Sequence, residues 1–296
     1  MRSIVNGITG VCIVLLCSTS SADPRVVDES RKWVPSLAVT SGILISSARG
    51  EVSSTVRKGP DGEYNSPWIG SDNLTSPWLG GSLEIMTPSW EPLGERTRFF
   101  VHGGVAGNFG FERDLAKEGA PGPFIVPTDP FFNQEILVRG QGSVIRVEPT
   151  GFQASAGVGF SITIDTEWRP IRIKPSLEYL VEEIQVSGLV HRAMSDDPTI
   201  PSFYLFAISG AEEKFFHSIG PGLEIEADIT RKGPLLLALT ASGGAYHLLG
   251  DRDVEFSSAD PTGTASATWS YRKDPWTYRF DVGMRFRWAP RVDRSP

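Results

Sequence analysis

Charged side chains recur at alternate positions in several segments of the chain, and apolar or aromatic side chains fill the positions between them. In residues 276–288, for example, Arg279, Asp281 and Arg285 alternate with Tyr278, Phe280 and other large residues. This spacing predicts a β-strand with one charged face, because successive side chains of a strand point to opposite sides. Charges of opposite sign that are enclosed together must pair, since an isolated buried charge is costly. We therefore predict an internal ion-pair network rather than catalytic groups, formed by Glu84, Arg98, Arg172, Lys174, Glu178, Glu224, Glu226, Asp228, Arg279, Asp281, Arg285 and Arg287.

The four histidines are the other candidates for chemistry, and they lie at His102, His191, His217 and His247. They fall on different predicted strands or loops without ligand spacing, so we predict no metal site. A lipid-modifying hydrolase is the best enzymatic alternative, and it would need a histidine and a serine two positions apart on one strand face. His217 is followed directly by Ser218, which points to the opposite face. We therefore predict no enzymatic activity, no catalytic residue and no cofactor.

The elements that position these charges are long alternating segments. They predict an all-β fold, an antiparallel up-and-down transmembrane β-barrel of eight strands, in which the alternation slips near Glu182 as at a bulge. Ten or twelve strands are the alternative, if a hairpin of 136–138 with 144–147, Phe203–Ile208 and Ala265–Tyr271 also take part. The eight predicted strands lie near residues 37–45, 79–85, 97–111, 151–165, 171–181, 215–229, 235–241 and 276–288.

The predicted connections alternate strictly between short and long. Short turns lie at 91–96, 166–169 and 230–233, and long loops at about 49–78, 112–150, 190–214 and 250–275. This alternation brings every short turn to one end of the sheet and every long loop to the other. Transmembrane barrels have this layout, with short periplasmic turns and longer extracellular loops.

Periodicity alone leaves open whether the apolar faces point inward, as in a soluble barrel, or outward to lipid. The aromatic residues favour lipid, because they cluster near both ends of the predicted strands, with aliphatic residues between. Two aromatic girdles around an aliphatic band are typical of a protein that crosses a membrane. The predicted girdle residues are Trp33, Trp78, Trp90, Phe99, Phe109, Phe111, Phe152, Trp168, Phe215, Trp276, Tyr278, Phe286 and Trp288.

The N-terminus has the pattern of a secretory signal peptide. Residues 1–22 combine Arg2, a short apolar run and a small-residue cleavage site before Asp23. Cys12 and Cys17 are the two cysteines of the chain, and both lie in this segment, so no disulfide framework is expected. We predict a periplasmic segment at 23–35, the barrel at 36–288 and a tail at 289–296. The net charge of −7 argues against nucleic acid as a partner.

Together, the export signal, the absence of cysteine beyond it and the alternating loop lengths resemble the small eight-stranded outer-membrane barrels, the outer-membrane protein A, X and W group. The aromatic-rich segment 278–288 is similar to the terminal signal that the barrel-assembly machinery recognises. The chain departs from this pattern by continuing past Trp288 and by exceeding the length of a minimal barrel. The resemblance implies an outer-membrane location in a Gram-negative bacterium, with membrane lipid and the assembly machinery as partners.

A structural or binding role follows as the leading functional hypothesis. Eight strands leave an interior that side chains fill, so a general porin is disfavoured. The long loops would bind an unknown extracellular ligand through exposed aromatics such as Tyr64, Trp68 and Phe131. A narrow channel or transporter for small or hydrophobic solutes, and a membrane-embedded lipid-modifying enzyme, remain the alternatives.

Overall fold

A computed structural model of the chain describes residues 32–58, 62–89, 96–109, 113–118, 123–129, 134–139, 142–148, 151–195, 203–263 and 265–288. In these ranges the regular structure is β-strand. No helix among the described residues has the length and hydropathy that a membrane-spanning helix requires. The strands are β1 (Val34–Lys58), β2 (Gly62–Ser89), β3 (Thr97–Asn108), β4 (Arg113–Glu118), β5 (Pro123–Asp129), β6 (Gln134–Arg139), β7 (Gly142–Glu148), β8 (Gln153–Ile164), β9 (Ile171–Ser195), β10 (Phe203–Lys232), β11 (Leu235–Leu249), β12 (Asp253–Ala259) and β13 (Ala265–Trp288).

Eight of these strands pair around a closed antiparallel ring. The order is β1, β2, β3, β8, β9, β10, β11 and β13, and β13 returns to pair with β1. The short turns are tight, as at Gly233, whose φ of 62° permits the reversal between β10 and β11. The predicted all-β antiparallel barrel is confirmed, although its wall is irregular at one end.

Five strands are much longer than a barrel wall needs. β1, β2, β9, β10 and β13 contain 24 to 30 residues each. At about 3.3 Å per residue, 25 residues reach roughly 80 Å. The prediction of long loops is therefore largely wrong, because the strands continue through most of those residues. Phe203–Ile208 and Ala265–Tyr271 are likewise the far ends of β10 and β13 rather than additional strands.

The irregular end is a β-sandwich built on top of the barrel. Above the barrel, β12 replaces β11 beside β13, and β7 replaces β8 beside β9. The strands there form two four-stranded sheets, β12-β13-β1-β2 and β10-β9-β7-β4. We call this part the sandwich zone and the ring below it the barrel zone, which ends near Ser46 of β1 and Trp276 of β13.

The two sheets of the sandwich zone enclose an apolar core. Gly188 of β9 faces the ring of Trp269 on β13 so closely that a Cβ atom there would overlap the indole. Gly50 of β1 similarly makes room for Leu115 and Ile145 from the opposite sheet. Burial in this core raises the pKa of the Tyr271 phenol, because the charged form loses its water. The core residues include Val52, Leu115, Ile145, Val186, Val190, Ile208, Val254, Ala267, Trp269 and Tyr271.

The predicted hairpin between 136–138 and 144–147 is wrong. β6, which contains 134–139, pairs with β5, whereas β7 pairs with β4 and β9. The consecutive strands β6 and β7 are therefore not each other's partners in the described sheets. The composition of 140–142 indicates a hairpin turn, but composition alone does not decide which strands pair across it.

The predicted bulge at Glu182 is also wrong. β9 pairs with β10 in unbroken register from Ile171 to Ser195. Even-numbered residues of β9 point inward on both sides of Glu182, but they change from Lys174 below to Ile184 above. The apparent slip therefore reflects a change in what the interior contains. A true irregularity lies between β1 and β13, where Pro275 falls in the extra length of β13 opposite Ser46 and Ala48.

Candidate functional site

Alternation along the barrel strands brings eight predicted charges into one cluster in the interior. Lys174 of β9 donates to Glu84 of β2 and to Glu224 of β10, the latter at 2.8 Å. Arg285 of β13 contacts the same two carboxylates, with 2.6 Å between its Nη2 and Glu224 Oε2. All four side chains are buried or half-buried. Each carboxylate therefore meets two cations, which offsets the loss of water.

The lower half of the cluster is organised around Glu226. Arg287 donates two hydrogen bonds to its carboxylate, and Arg172 Nη1 lies 3.4 Å from its Oε1. Arg172 also binds Asp228. The whole cluster holds four cations and four carboxylates, namely Arg172, Lys174, Arg285 and Arg287 with Glu84, Glu224, Glu226 and Asp228. The charges in this part of the interior are therefore balanced.

Glu178 belongs to a separate group nearer the sandwich zone. Its carboxylate accepts a hydrogen bond of 2.6 Å from the Tyr246 hydroxyl and one of 2.7 Å from Ser176. His102 Nε2 lies 3.7 Å away from the same carboxylate. The sequence does not identify His102 and Tyr246 as partners of Glu178, because the three residues belong to different strands that meet only across the closed ring.

Arg279 and Asp281 form a third group, and their contact with Trp78 shows that one predicted girdle residue is wrong. Arg279 Nε lies 3.5 Å from Asp281 Oδ2, and the guanidinium stacks 4.0 Å from the centre of the Trp78 ring. Trp78 therefore faces the interior, with an exposed fraction of 1%, and its assignment to a girdle is wrong. Alternation explains this, since the next residue, Leu79, points outward.

Arg98 stands apart from these groups at the short-turn end. Its Nε donates to the Thr87 carbonyl oxygen at 2.6 Å, and its Nη2 donates to the carbonyl oxygen of Lys32. It therefore ties β3 to the end of β2 and to the segment before β1. The structure thus places all twelve predicted charges on the inward side, with eight in one cluster.

Sequence analysis misses a buried pair at the boundary between the two zones. Lys273 of β13 contacts Glu182 of β9, and both side chains are almost fully buried. The Lys273 ammonium also lies 5.3 Å from the centre of the Phe216 ring. Both residues fall on the inward faces of their strands, but the inward residues around them are apolar. The charged faces predicted from the sequence therefore do not include them.

Most inward side chains of the barrel zone are buried or half-buried, and small voids lie among them. One void of about 10 Å³ lies beside Trp78 and Arg279. Another of about 20 Å³ lies between Ser46, Ser76 and Glu182. A single water molecule needs about 10–15 Å³ of such space, so each void admits about one water.

The outward face of the barrel zone is mainly apolar on each strand. Phe99 and Phe160 meet edge to face, with 5.6 Å between ring centres. Trp90 and Phe111, which are also predicted girdle residues, lie outside the described residues. The other predicted aromatics, Trp33, Phe99, Phe109, Phe152, Trp168, Phe215, Trp276, Tyr278, Phe286 and Trp288, are exposed or half-buried near the ends of the barrel zone.

Both surfaces change character at one level of the molecule. On β13 the outward residues are Trp276, Tyr278, Phe280, Val282 and Met284 in the barrel zone but Ser266, Thr268, Ser270 and Arg272 in the sandwich zone. The inward residues of this strand change in the opposite sense, from Arg285 and Asp281 to Tyr271 and Trp269. β1 shows the same inversion, from outward Leu37, Val39 and Ile43 to outward Arg49 and Glu51.

The histidine and loop residues can now be placed. His217 points outward, where its Nδ1 lies 2.6 Å from the Tyr179 hydroxyl, whereas Ser218 is buried inside. His247 packs edge to face on Trp276. Trp68 is exposed on β2. The side chains of His191, Tyr64 and Phe131 lie outside the described residues.

The chain matches no family model and no curated protein sequence. Among solved structures it is similar to the outer membrane protease OmpT from Escherichia coli, at 10% identity and a TM-score of 0.28, over 85% of this chain and 97% of that one. A major outer membrane protein from Thermus thermophilus gives 11% and 0.31, over 81% and 99%. A Pseudomonas aeruginosa FadL homologue gives 8% and 0.22, over 86% and 90%. At these scores the likeness assigns neither family nor function.

Proposed function

We propose that this chain is an outer-membrane β-barrel with a closed interior, which carries a rigid β-sandwich outside the membrane for a structural or binding role. The observation that carries the proposal is the inversion of both surfaces at one level. Below Trp276 on β13 the protein is apolar outside and charged inside, as suits lipid. Above Arg272 it is polar outside and apolar inside, as suits water.

The height of the apolar surface agrees with this placement. β3 and β8, which lie wholly in the barrel zone, contain 12 residues each. At about 3.3 Å per residue and a tilt of roughly 40°, such a strand rises about 30 Å. The apolar band of outer-membrane barrels is about 25 Å tall, and crossing strands need about 9–11 residues.

The filled interior favours a structural or binding role over a channel. The charge cluster of Lys174, Arg285 and their partners spans the interior from β2 to β9, β10 and β13. The voids beside Trp78 and Glu182 admit single waters but not a hydrated ion or a nutrient molecule. We therefore propose that the barrel does not conduct and that it acts through the parts outside the membrane.

The orientation follows from the connections. The turn at 165–170 and the turn at Gly233 are short, whereas the sandwich zone extends from the opposite end. In outer-membrane barrels the short turns face the periplasm. We therefore assign the sandwich zone to the extracellular side and keep residues 1–22 as the predicted export signal.

Two measurements on the chain without residues 1–22, refolded in detergent and then in planar bilayers, test this proposal. The unheated sample should migrate differently from the boiled sample on a detergent gel, because a closed hydrogen-bonded ring resists detergent. The bilayer current should stay at the baseline of protein-free membranes. A protein that stays soluble and monomeric without detergent contradicts the membrane placement, and stepwise conductance contradicts the closed interior.

A further inference from the structure

Two arginines face each other on the outward side, just beyond the apolar surface. Arg49 of β1 and Arg272 of β13 are direct register partners, and both side chains are exposed. Their neighbours Ala48 and Tyr271 point inward and are buried. Like charges placed directly opposite each other in an antiparallel pair are destabilising. A bound anion between the two guanidinium groups would remove this repulsion.

An acidic partner neutralises only one of the two guanidinium groups. Asp253 binds Arg272, with 2.8 Å between Oδ1 and Nε, and thereby orients its guanidinium. Arg49 forms no ion pair with any residue in the described ranges, although Glu51 of β1 and Asp274 of β13 each lie two residues away on the same outward face. Ser71 of β2, the other register partner of Arg49, adds a hydroxyl group at the same level.

The distance of the arginine pair from the aromatic residues of the barrel zone points to the kind of anion that it would bind. Trp276 lies four residues nearer the barrel zone on the same strand. At about 3.3 Å per residue and the usual tilt, Arg272 lies roughly 10 Å beyond Trp276. Interfacial tryptophans mark the depth of the lipid headgroups, so the arginine pair lies on the headgroup side. Arginine binds phosphate through paired hydrogen bonds, which makes headgroup phosphate the anion that fits best.

We propose that Arg49 and Arg272 form a binding site for the phosphate group of a phosphorylated lipid in the extracellular leaflet. This inference rests on the proposed membrane placement. A basic side chain near a charged membrane surface contributes about fivefold to affinity. Loss of both arginines should therefore weaken binding of such a lipid about 30-fold.

The test compares the refolded chain with an R49Q/R272Q double variant by native mass spectrometry in detergent. The probes are bisphosphorylated lipid A and the same lipid after enzymatic removal of its phosphates. R96Q is the matched control, because Arg96 is an exposed arginine at the short-turn end, 2.9 Å from Asp165. A gel shift between boiled and unboiled samples shows beforehand that each variant forms the barrel.

Support for the site requires that wild type and R96Q prefer the phosphorylated lipid and that the double variant loses this preference. The site is refuted if the double variant keeps the preference or if wild type shows none. Competition by inorganic phosphate at equal concentration would assign the arginines to free phosphate and overturn the lipid ligand. Absence of the gel shift in wild type removes the membrane placement, and the lipid site is rejected with it; a normal shift without lipid preference rejects the site alone.

Discussion

Replacing Lys174 by methionine tests whether the interior charges depend on one another. Lys174 contacts Glu84, Glu224 and Glu226, and its side chain is almost fully buried. Its removal leaves four carboxylates with three cations in the cluster. Removing one partner of a buried ion pair costs about 3–5 kcal/mol, because the remaining charge keeps its burial without its partner.

The assay is urea unfolding of the refolded barrel in lipid vesicles, followed by tryptophan fluorescence. We expect K174M to lose about 3–5 kcal/mol of unfolding free energy. The double variant K174M/E84M restores equal numbers of cations and carboxylates, so it should recover most of this loss. R96Q breaks an exposed pair with Asp165 and should change the free energy by less than about 1 kcal/mol.

An unchanged stability of K174M would refute the reasoning, because it would mean that Glu84 and Glu224 are protonated or hydrated rather than paired. A double variant as unstable as K174M would show that packing around the lysine stem matters more than charge balance. Both outcomes leave the strand pairing intact, so the gel shift on boiling controls for misfolding.

Three further predictions concern the two zones. V282R places a cation on the outward face of the barrel zone and should destabilise the refolded protein by about 2–4 kcal/mol, whereas S266R in the sandwich zone should be nearly neutral in the same urea assay. G188V overpacks the core against Trp269 and should lower the unfolding free energy of the sandwich zone by about 1–3 kcal/mol. Proteases should then cleave the sandwich zone, while the gel mobility of the barrel still changes on boiling. Protease resistance equal to that of wild type would contradict the sheet packing. Because burial raises the pKa of Tyr271, its phenol should stay protonated in alkaline solution, and ultraviolet titration of wild type against Y271F should show no difference until the protein unfolds. The contribution of this phenol to the unfolding free energy is complete below pH about 10 and declines above it.

The barrel zone could be predicted from the sequence because apolar and polar residues alternate along the whole length of its strands. The segment 276–288 shows this most clearly, with aromatic and aliphatic residues on one face and Arg285 and Arg287 on the other. Alternation along each strand puts its charged residues on one face, and the aromatic residues near the strand ends indicate that this face is the inner one. The partners of these charges cannot be predicted in this way, since Lys174 and Glu84 belong to strands that are distant in sequence and meet only across the closed ring.

The sandwich zone could not be predicted because it obeys the opposite pattern. In β1 the outward residues beyond Ser46 become polar, so the pattern of apolar outward faces stops there and a loop is predicted. Near Glu182 the inward residues of β9 likewise change from charged to apolar, and in the sequence this change resembles a bulge. Trp78 is a different case, because it lies at the end of a predicted strand, where girdle residues are expected, whereas the alternation points its side chain inward.

The proposed membrane placement requires that the surroundings of the outward surface change from lipid to water between Trp276 and Arg272. Single cysteines introduced at 266, 270, 278, 280, 282 and 284 of the chain without residues 1–22, each carrying a nitroxide label in lipid vesicles, measure this change directly. Positions 280, 282 and 284 should collide preferentially with oxygen dissolved in the membrane, and positions 266 and 270 with a water-soluble nickel complex. Equal access of the nickel complex to all six positions would contradict the membrane placement.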